Sequence, residues 1–144
     1  MNMEIAIVVI THGASAVALC KTAEMIVGQQ DNLAVLDFFP GENVDSLAIK
    51  ISQSLKALNT DNGVLFLVDV FGGSPFNAAM LVSSEQQSAD VVSGVNIPML
   101  IDCFMDRNTV KTFSDLADVA KSSGIAGILS MTQDMEFNNQ GEDL

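Results

Sequence analysis

The chain alternates short apolar runs with longer stretches whose apolar residues recur at helical spacing. Ile5-Ala6-Ile7-Val8-Val9-Ile10 is an unbroken apolar run rich in β-branched residues, which predicts a buried strand. Val64-Leu65-Phe66-Leu67-Val68 is more apolar still and shows no alternation. Both of its faces must be covered, as in a parallel sheet. Residues 33–38 and 90–94 read as two shorter strands. Between the strands the period changes. Ala16, Leu19, Cys20, Ala23, Ile26 and Val27 share one face of a helix over 14–27, which Gly28 ends. Asn43 caps a second helix with Val44, Leu47, Ala48, Ile51, Leu55 and Leu58 on its inner face. Ser74-Pro75 is a helix start, an N-cap hydroxyl followed by proline in the first turn. Val95-Asn96-Ile97-Pro98 opens a helix to about residue 105, Asp106-Arg107-Asn108 reads as loop, and another helix covers 114–122. Residues 124–131 carry Gly124 and Gly127 and read as an edge strand. Strands alternating with helices predict an α/β fold, doubly wound, with a mainly parallel four-stranded sheet, flanking helices and an antiparallel C-terminal edge strand. One domain over 1–131 and an acidic, flexible tail over 132–144 complete the expectation.

Composition narrows the class. The chain has 144 residues, 49% of them hydrophobic, enough for one domain with a sizeable core. No apolar run approaches the roughly 18 residues of a membrane span. The N-terminus has no basic region before its apolar run and no small-residue cleavage site, so no signal peptide is expected. Cys20 and Cys103 are far apart and lack metal-type spacing; they are expected as reduced, buried thiols in a cytoplasmic protein. Six basic residues against eighteen acidic ones give a formal charge of −12. That argues against nucleic acid as a partner, which requires a basic footprint, and permits steering of a basic protein.

Chemistry collects where the strands end. The four strand exits carry Thr11-His12-Gly13, Phe39-Pro40-Gly41, Asp69 with Gly72-Gly73-Ser74, and Gly94 to Pro98. In a parallel sheet these exits lie on one edge, where α/β proteins bind ligands. His12 is the single histidine. It sits ahead of a helix N-terminus, a place suited to anions, and its imidazole is poised to act near neutral pH. Asp69 has several readings: a turn cap, a magnesium ligand, a phosphoacceptor carboxylate, or an acceptor for one ring N–H of His12 that leaves the other nitrogen as nucleophile. In the last case a phosphoryl group on the free nitrogen would be met by Ser74, by the backbone N–H groups of Gly72 and Gly73, and by the helix N-termini. Ser74, His12 and Asp69 also match a hydrolytic trio in type, but Ser74 precedes Pro75 and lies in no G-x-S-x-G elbow. The absence of a G-x-x-x-x-G-K-[ST] loop argues against nucleotide hydrolysis, and one histidine with scattered cysteines argues against a zinc site. No metal and no cofactor are expected. Phe38, Phe39, Phe71 and Phe76 flank the site as core residues, one or two of them available for a docking surface.

Taken together, Thr11-His12-Gly13, Lys21-Thr22-Ala23-Glu24-Met25, Pro40-Gly41-Glu42-Asn43, Gly63 to Asp69, Gly72-Gly73-Ser74-Pro75-Phe76-Asn77-Ala78-Ala79 and Gly94-Val95-Asn96-Ile97-Pro98-Met99-Leu100 resemble the IIA component of the mannose-type bacterial sugar phosphotransferase system. The resemblance spans roughly residues 3 to 130. It implies a phosphohistidine carrier that accepts a phosphoryl group from the phosphocarrier HPr on His12 and passes it to a IIB component, with membrane IIC and IID subunits downstream. It implies that Asp69 hydrogen-bonds the active histidine, that Ser74 lies beside the phosphate, and that the protein is a homodimer exchanging a C-terminal strand, the role expected for 124–131. With Gly72 and Gly73 from the strand-exit reading, Gly13 and Ser74 complete the expected phosphate-binding set. Two departures stand out. Many relatives have an aromatic residue where this chain has Ala14, and many continue through an Ala/Pro-rich linker into IIB, whereas this sequence ends in Asn138-Asn139-Gln140-Gly141-Glu142-Asp143-Leu144, which places IIB on a separate chain or beyond the sequence given. Two other functions remain compatible with the residues: the phosphotransfer subunit of a dihydroxyacetone kinase system, and a non-enzymatic, ligand-binding regulatory module.

Overall fold

The computed structural model describes residues 4–135. The elements follow in the order β1 (Ala6–Ile10), α1 (Ser15–Val27), β2 (Leu33–Leu36), α2 (Val44–Leu55), β3 (Val64–Val68), α3 (Ser74–Ser83), β4 (Ala89–Val92), α4 (Ile97–Asp106), α5 (Phe113–Ala126) and α6 (Met131–Asp134). The four strands form one parallel sheet in the order β2-β1-β3-β4. The two most apolar strands, β1 and β3, are the inner pair, and every residue in both is buried.

Covering both faces of these strands requires two cores, and pleating assigns alternate residues to each. Ile7 and Val9 join Leu65 and Leu67 beneath α1, α4 and α5. Ala6, Val8 and Ile10 join Val64, Phe66 and Val68 beneath α2 and α3. Each fully buried Val, Ile, Leu or Phe contributes about 1.5–3 kcal/mol relative to exposure, so a polar substitution on either face of β1 or β3 is costly. Cys20 and Cys103 belong to the first core and are unpaired. Burial, helped by Glu24 at one and by Asp102 and Asp106 at the other, pushes both thiols up to about 12.

Several helix starts are written in side chains. Asn43 and Ser46 form a reciprocal capping box at α2, Thr112 and Asp115 do the same at α5, and Asn96 accepts from Met99 N–H at α4. At α3 the expectation needs correcting: Gly73 is the N-cap and Ser74 is already the first helical residue, with Pro75 in the first turn.

The expected edge strand over 124–131 is not formed. α5 continues to Ala126, and α6 begins at Met131. The glycine that suggested a strand serves helix packing instead. Gly124 lies under α4, where an added Cβ would come within 2.8 Å of Met99 Cε, and its carbonyl accepts from Asn96 Nδ2 at 3.0 Å. Residues 127–130 between the two helices form no strand either, so the expected strand exchange has no strand here to rest on. The expected tail begins inside α6 at Thr132; its greater part, from residue 136, lies outside the described residues.

Arg107 follows α4 as its C-cap, in what the sequence read as loop, and is completely buried. Its guanidinium donates to the carbonyls of Ile5 (2.8 and 3.1 Å), Asp31 (2.8 Å) and Asn32 (2.6 Å) and to Gln30 Oε1 (3.2 Å). It ties the entry to β1 and the α1–β2 turn to the end of α4. Burial pulls its pKa down, against the charges of Glu4 and Asp31. The Arg107→Leu protein is expected to lose about 3 kcal/mol of stability, because the buried Ile5 carbonyl and the part-buried Asp31 and Asn32 carbonyls lose their guanidinium donors together. A urea midpoint unchanged within error would show that those carbonyls find other partners.

Candidate active site

The strand order decides what meets. β1 and β3 are neighbours with Ile10 opposite Val68, so the residues just past each strand emerge side by side. Between these two strands the order of winding reverses: the chain goes from β1 out to β2, then back across to β3 and β4. A crevice at the carboxyl edge of such a reversal is where doubly wound folds bind ligands. His12 and Asp69 occupy it.

Their contact is multiple. Asp69 Oδ2 accepts from the His12 backbone N–H at 3.0 Å and lies 2.9 Å from His12 Nδ1, while Oδ1 lies 3.1 Å from the same ring nitrogen. Oδ1 also accepts from the Val70 backbone N–H at 3.0 Å. Partial burial acts to raise the Asp69 pKa, but the hydrogen bonds from His12 backbone and ring, and the His12 charge, outweigh it and hold the carboxyl below its ordinary range. A carboxylate on Nδ1 selects the tautomer with the proton there. That leaves the Nε2 lone pair unprotonated and directed away from Asp69. The His12 side chain is 48% exposed against 27% for Asp69, so the ring is reachable while its anchor is sheltered.

The surrounding loops shape the ring's neighbourhood. Gly13 takes φ +65, a left-handed conformation that suits glycine, and this lets the chain turn into α1 while pairing with Phe38: Gly13 N–H donates to Phe38 O at 2.6 Å and Phe38 N–H to Gly13 O at 3.2 Å. The Phe38 ring stands perpendicular to the imidazole with centroids 5.7 Å apart. On another side Gly73 comes so close that an added Cβ would lie 3.1 Å from His12 Cε1. Ser15 Oγ donates to the His12 carbonyl at 3.1 Å and pairs with Thr11 Oγ1 at 2.7 Å.

The sequence-predicted residues therefore converge in part. His12 and Asp69 are in direct contact, and Gly73 abuts the ring. Gly72, at φ +80, lies in the loop that opens α3, and Ser74 is the first residue of that helix. The N–H groups of Gly13 and Gly73 are engaged by the carbonyls of Phe38 and Val70, whereas the N–H groups of Gly72 and Ser74 and the Ser74 hydroxyl have no partner among the described residues. Phe38 was visible in the sequence only as an aromatic near the site; its perpendicular contact depends on the Gly13 bridge, which no local pattern encodes. Phe39, Val70 and Phe71 are exposed large side chains on loops at the same sheet edge.

Comparison with known proteins agrees with this architecture. The family described as "PTS system fructose IIA component" matches residues 6–121. The chain is 46% identical over 129 residues to the PTS system mannose-specific EIIAB component of Escherichia coli (strain K12), a match covering 90% of this chain but only 40% of that protein's length. It is 41% identical over 98 residues to the PTS system fructose-specific EIIA component of Bacillus subtilis (strain 168), covering 68% of this chain and 67% of the relative. Its fold superposes on the phosphotransferase system component EIIA from Streptococcus agalactiae with a TM-score of 0.80 at 26% identity, covering 89% of this chain and 98% of the other. The mannose/sorbose specific IIA subunit from Enterococcus faecalis gives 0.79 at 25% identity, covering 89% and 95%. A parallel sheet of this order, matched along most of its length in both sequence and fold, makes the chain a member of the mannose-type family of phosphotransferase-system IIA components.

Proposed function

We propose that the protein is a phosphohistidine carrier in sugar uptake, accepting a phosphoryl group from HPr on His12 and delivering it to a IIB component. The observation that carries this reading is the Asp69 carboxylate on His12 Nδ1 at 2.9 Å, which leaves Nε2 as the outward nitrogen. In the proposed step the Nε2 lone pair attacks phosphorus in line, the N–P bond of the donor phosphohistidine breaks, and the donor nitrogen leaves with the electron pair. The proton on Nδ1 stays in its hydrogen bond to Asp69, whose negative charge offsets the positive charge developing on the ring. Such transfer demands positioning and stabilisation of three phosphoryl oxygens more than covalent chemistry by the protein. The Gly72 and Ser74 N–H groups and the Ser74 hydroxyl, at the N-terminus of α3, are the donors proposed for those oxygens. In this reading Gly13 and Gly73 border the phosphate as shaping residues, since their own N–H groups are engaged within the chain.

The exposed Phe39, Val70 and Phe71 are proposed to form the apolar contact for both partners, with the formal charge of −12 favouring a basic face on the donor. The membrane IIC and IID subunits would be reached only through IIB, in the cytoplasm; among the described residues no helix is long and apolar enough to cross a membrane. A homodimer is also part of the proposal, now resting on exposed Ile125, Ile128, Leu129 and Met131 rather than on an exchanged strand over 124–131.

Label transfer from phosphorylated HPr tests the proposal. Wild-type protein is expected to take up acid-labile, base-stable phosphate in equal amount to protein, and His12→Gln none; label retained by His12→Gln overturns the assignment. Asp69→Asn preserves the shape of the anchor but not its charge, and is expected to slow transfer at least about tenfold, equivalent to roughly 1.4 kcal/mol of barrier, while melting stays cooperative. An unchanged rate removes Asp69 from the mechanism.

The pH dependence has a definite sign. Because the native Asp69 pKa lies below its ordinary value of 3.8, its stabilising contribution is present above that value and is lost as pH falls through the lower native value. Urea unfolding of wild type against Asp69→Asn should therefore show a gap at pH 5 that closes on acidification; a gap that widens instead would contradict the sign.

A further inference from the structure

We infer that Phe38 is a positioning residue for His12, closing off the ring tilt that Asp69 alone leaves free. The inference rests on the carrier reading above and extends it to a residue that makes no contact through the reacting nitrogen.

A carboxylate on one ring nitrogen fixes where that nitrogen lies. It does not fix the plane of the ring, because an imidazole can tilt about an axis through Nδ1 while keeping an acceptable hydrogen bond. Nucleophilic attack in line with a leaving nitrogen needs the Nε2 lone pair to hold one direction, and small misplacements of a reacting group are costly in rate. Two further surfaces bound the ring. The Phe38 ring meets it at an interplanar angle of 87° and a centroid separation of 5.7 Å, an edge-to-face arrangement that aromatic pairs favour. Gly73 closes on Cε1, leaving no room for a Cβ without displacement. Tilting the imidazole therefore means either leaving the Phe38 contact or pressing on the Gly73 backbone.

Phe38 is itself held by contacts unrelated to the imidazole. Its backbone is bonded in both directions to Gly13, one residue past His12. The next residue, Phe39, donates its N–H to Glu42 Oε2 at 2.8 Å. Glu42 pairs with Lys50 on α2 at 2.8 Å, and Lys50 Nζ also donates to the Asp37 carbonyl at 3.0 Å. The residues on either side of Phe38 are thus tied to a helix that packs on the sheet, and the Phe38 side chain packs against the second core. The wall beside His12 is anchored more firmly than an isolated aromatic on a loop would be.

The substitutions that test this are Phe38→Leu, which keeps an apolar side chain but removes the flat ring, Phe38→Tyr, which keeps the ring, and Gly73→Ala, which presses on the imidazole from its Cε1 side without demanding a strained backbone. Two readouts are needed. Long-range 1H–15N correlation spectra of unphosphorylated protein report which His12 nitrogen carries the proton, independently of any transfer. Rates of label uptake from phosphorylated HPr, resolved into kcat and KM, report the nucleophile. In the wild type and Phe38→Tyr a single Nδ1–H tautomer is expected. In Phe38→Leu the Nδ1–H tautomer set by Asp69 should persist, the His12 nitrogen signals should broaden or move as the ring tilts, and kcat should fall about tenfold or more with KM little changed, consistent with the rate sensitivity of misplaced groups. Gly73→Ala should perturb the same nitrogen signals. A Phe38→Leu protein with wild-type nitrogen shifts, or with shifted signals but kcat within twofold of wild type, overturns the inference. A wild type whose His12 takes up no label overturns the carrier reading instead, and the nitrogen spectra then decide on their own whether Phe38 orients the ring. If Phe38→Leu melts uncooperatively, Phe38→Met, which also keeps an apolar side chain without the ring, supplies the same two readouts, and wild-type values for either in that variant overturn the inference.

Discussion

The structure depends on two neighbouring parallel strands ending in register. Because Ile10 stands opposite Val68, the chain past β1 and the chain past β3 leave the sheet together, and a carboxylate from one reaches an imidazole from the other at 2.9 Å. Had the strands been separated by one place in the sheet, about 5 Å more would lie between them and neither side chain could span it. The pairing is thus a consequence of topology, and topology in turn follows from the double burial of β1 and β3. Strands apolar on both faces suit the inner positions, and β1 and β3 are the two that are buried along their whole length.

Opposite ends of the same sheet are handled differently. At the amino end Arg107 gathers carbonyls from two segments, the entry to β1 and the α1–β2 turn, and is fully buried, with its donors directed at neutral oxygens rather than at a carboxylate. Immobilising that end leaves the carboxyl end free to carry glycine-rich loops with exposed side chains. The division assigns rigidity to one edge and chemistry to the other, in keeping with function residing in loops on a firm scaffold. Within the chemical edge the same logic recurs on a smaller scale: Asp69 is sheltered, the His12 ring is half exposed, and the loop bearing Phe38 is tied back to α2.

Much of this was legible from residue order. The assignments of the two inner strands rested on unbroken apolar runs, and those runs survive as β1 and β3. Asn43 was readable as a cap because its side chain acts within three residues. The meeting of His12 and Asp69 followed once the sheet was taken as parallel. What stayed hidden depended on distance along the chain or on close packing. Arg107 looked like a loop residue because its acceptors lie some 75 to 102 positions away. Gly124 suggested a strand, since glycine lowers helix propensity, yet the contact with Met99 on α4 makes a small residue worth its cost there. Ser74 was misplaced by one position because Ser-Pro fits both a cap and a first turn, and Gly73 took the cap.

The most direct test of the account is the identity of the phosphorylated nitrogen. In the proposed carrier, Asp69 on Nδ1 leaves Nε2 as the acceptor, so 15N-labelled protein incubated with phosphorylated HPr should show phosphorus coupling and a phosphoramidate shift at Nε2 of His12, with Nδ1 still protonated. Phosphate found on Nδ1 would mean that the Asp69 contact breaks before transfer, and would contradict the claim that this carboxylate prepares the ring for attack.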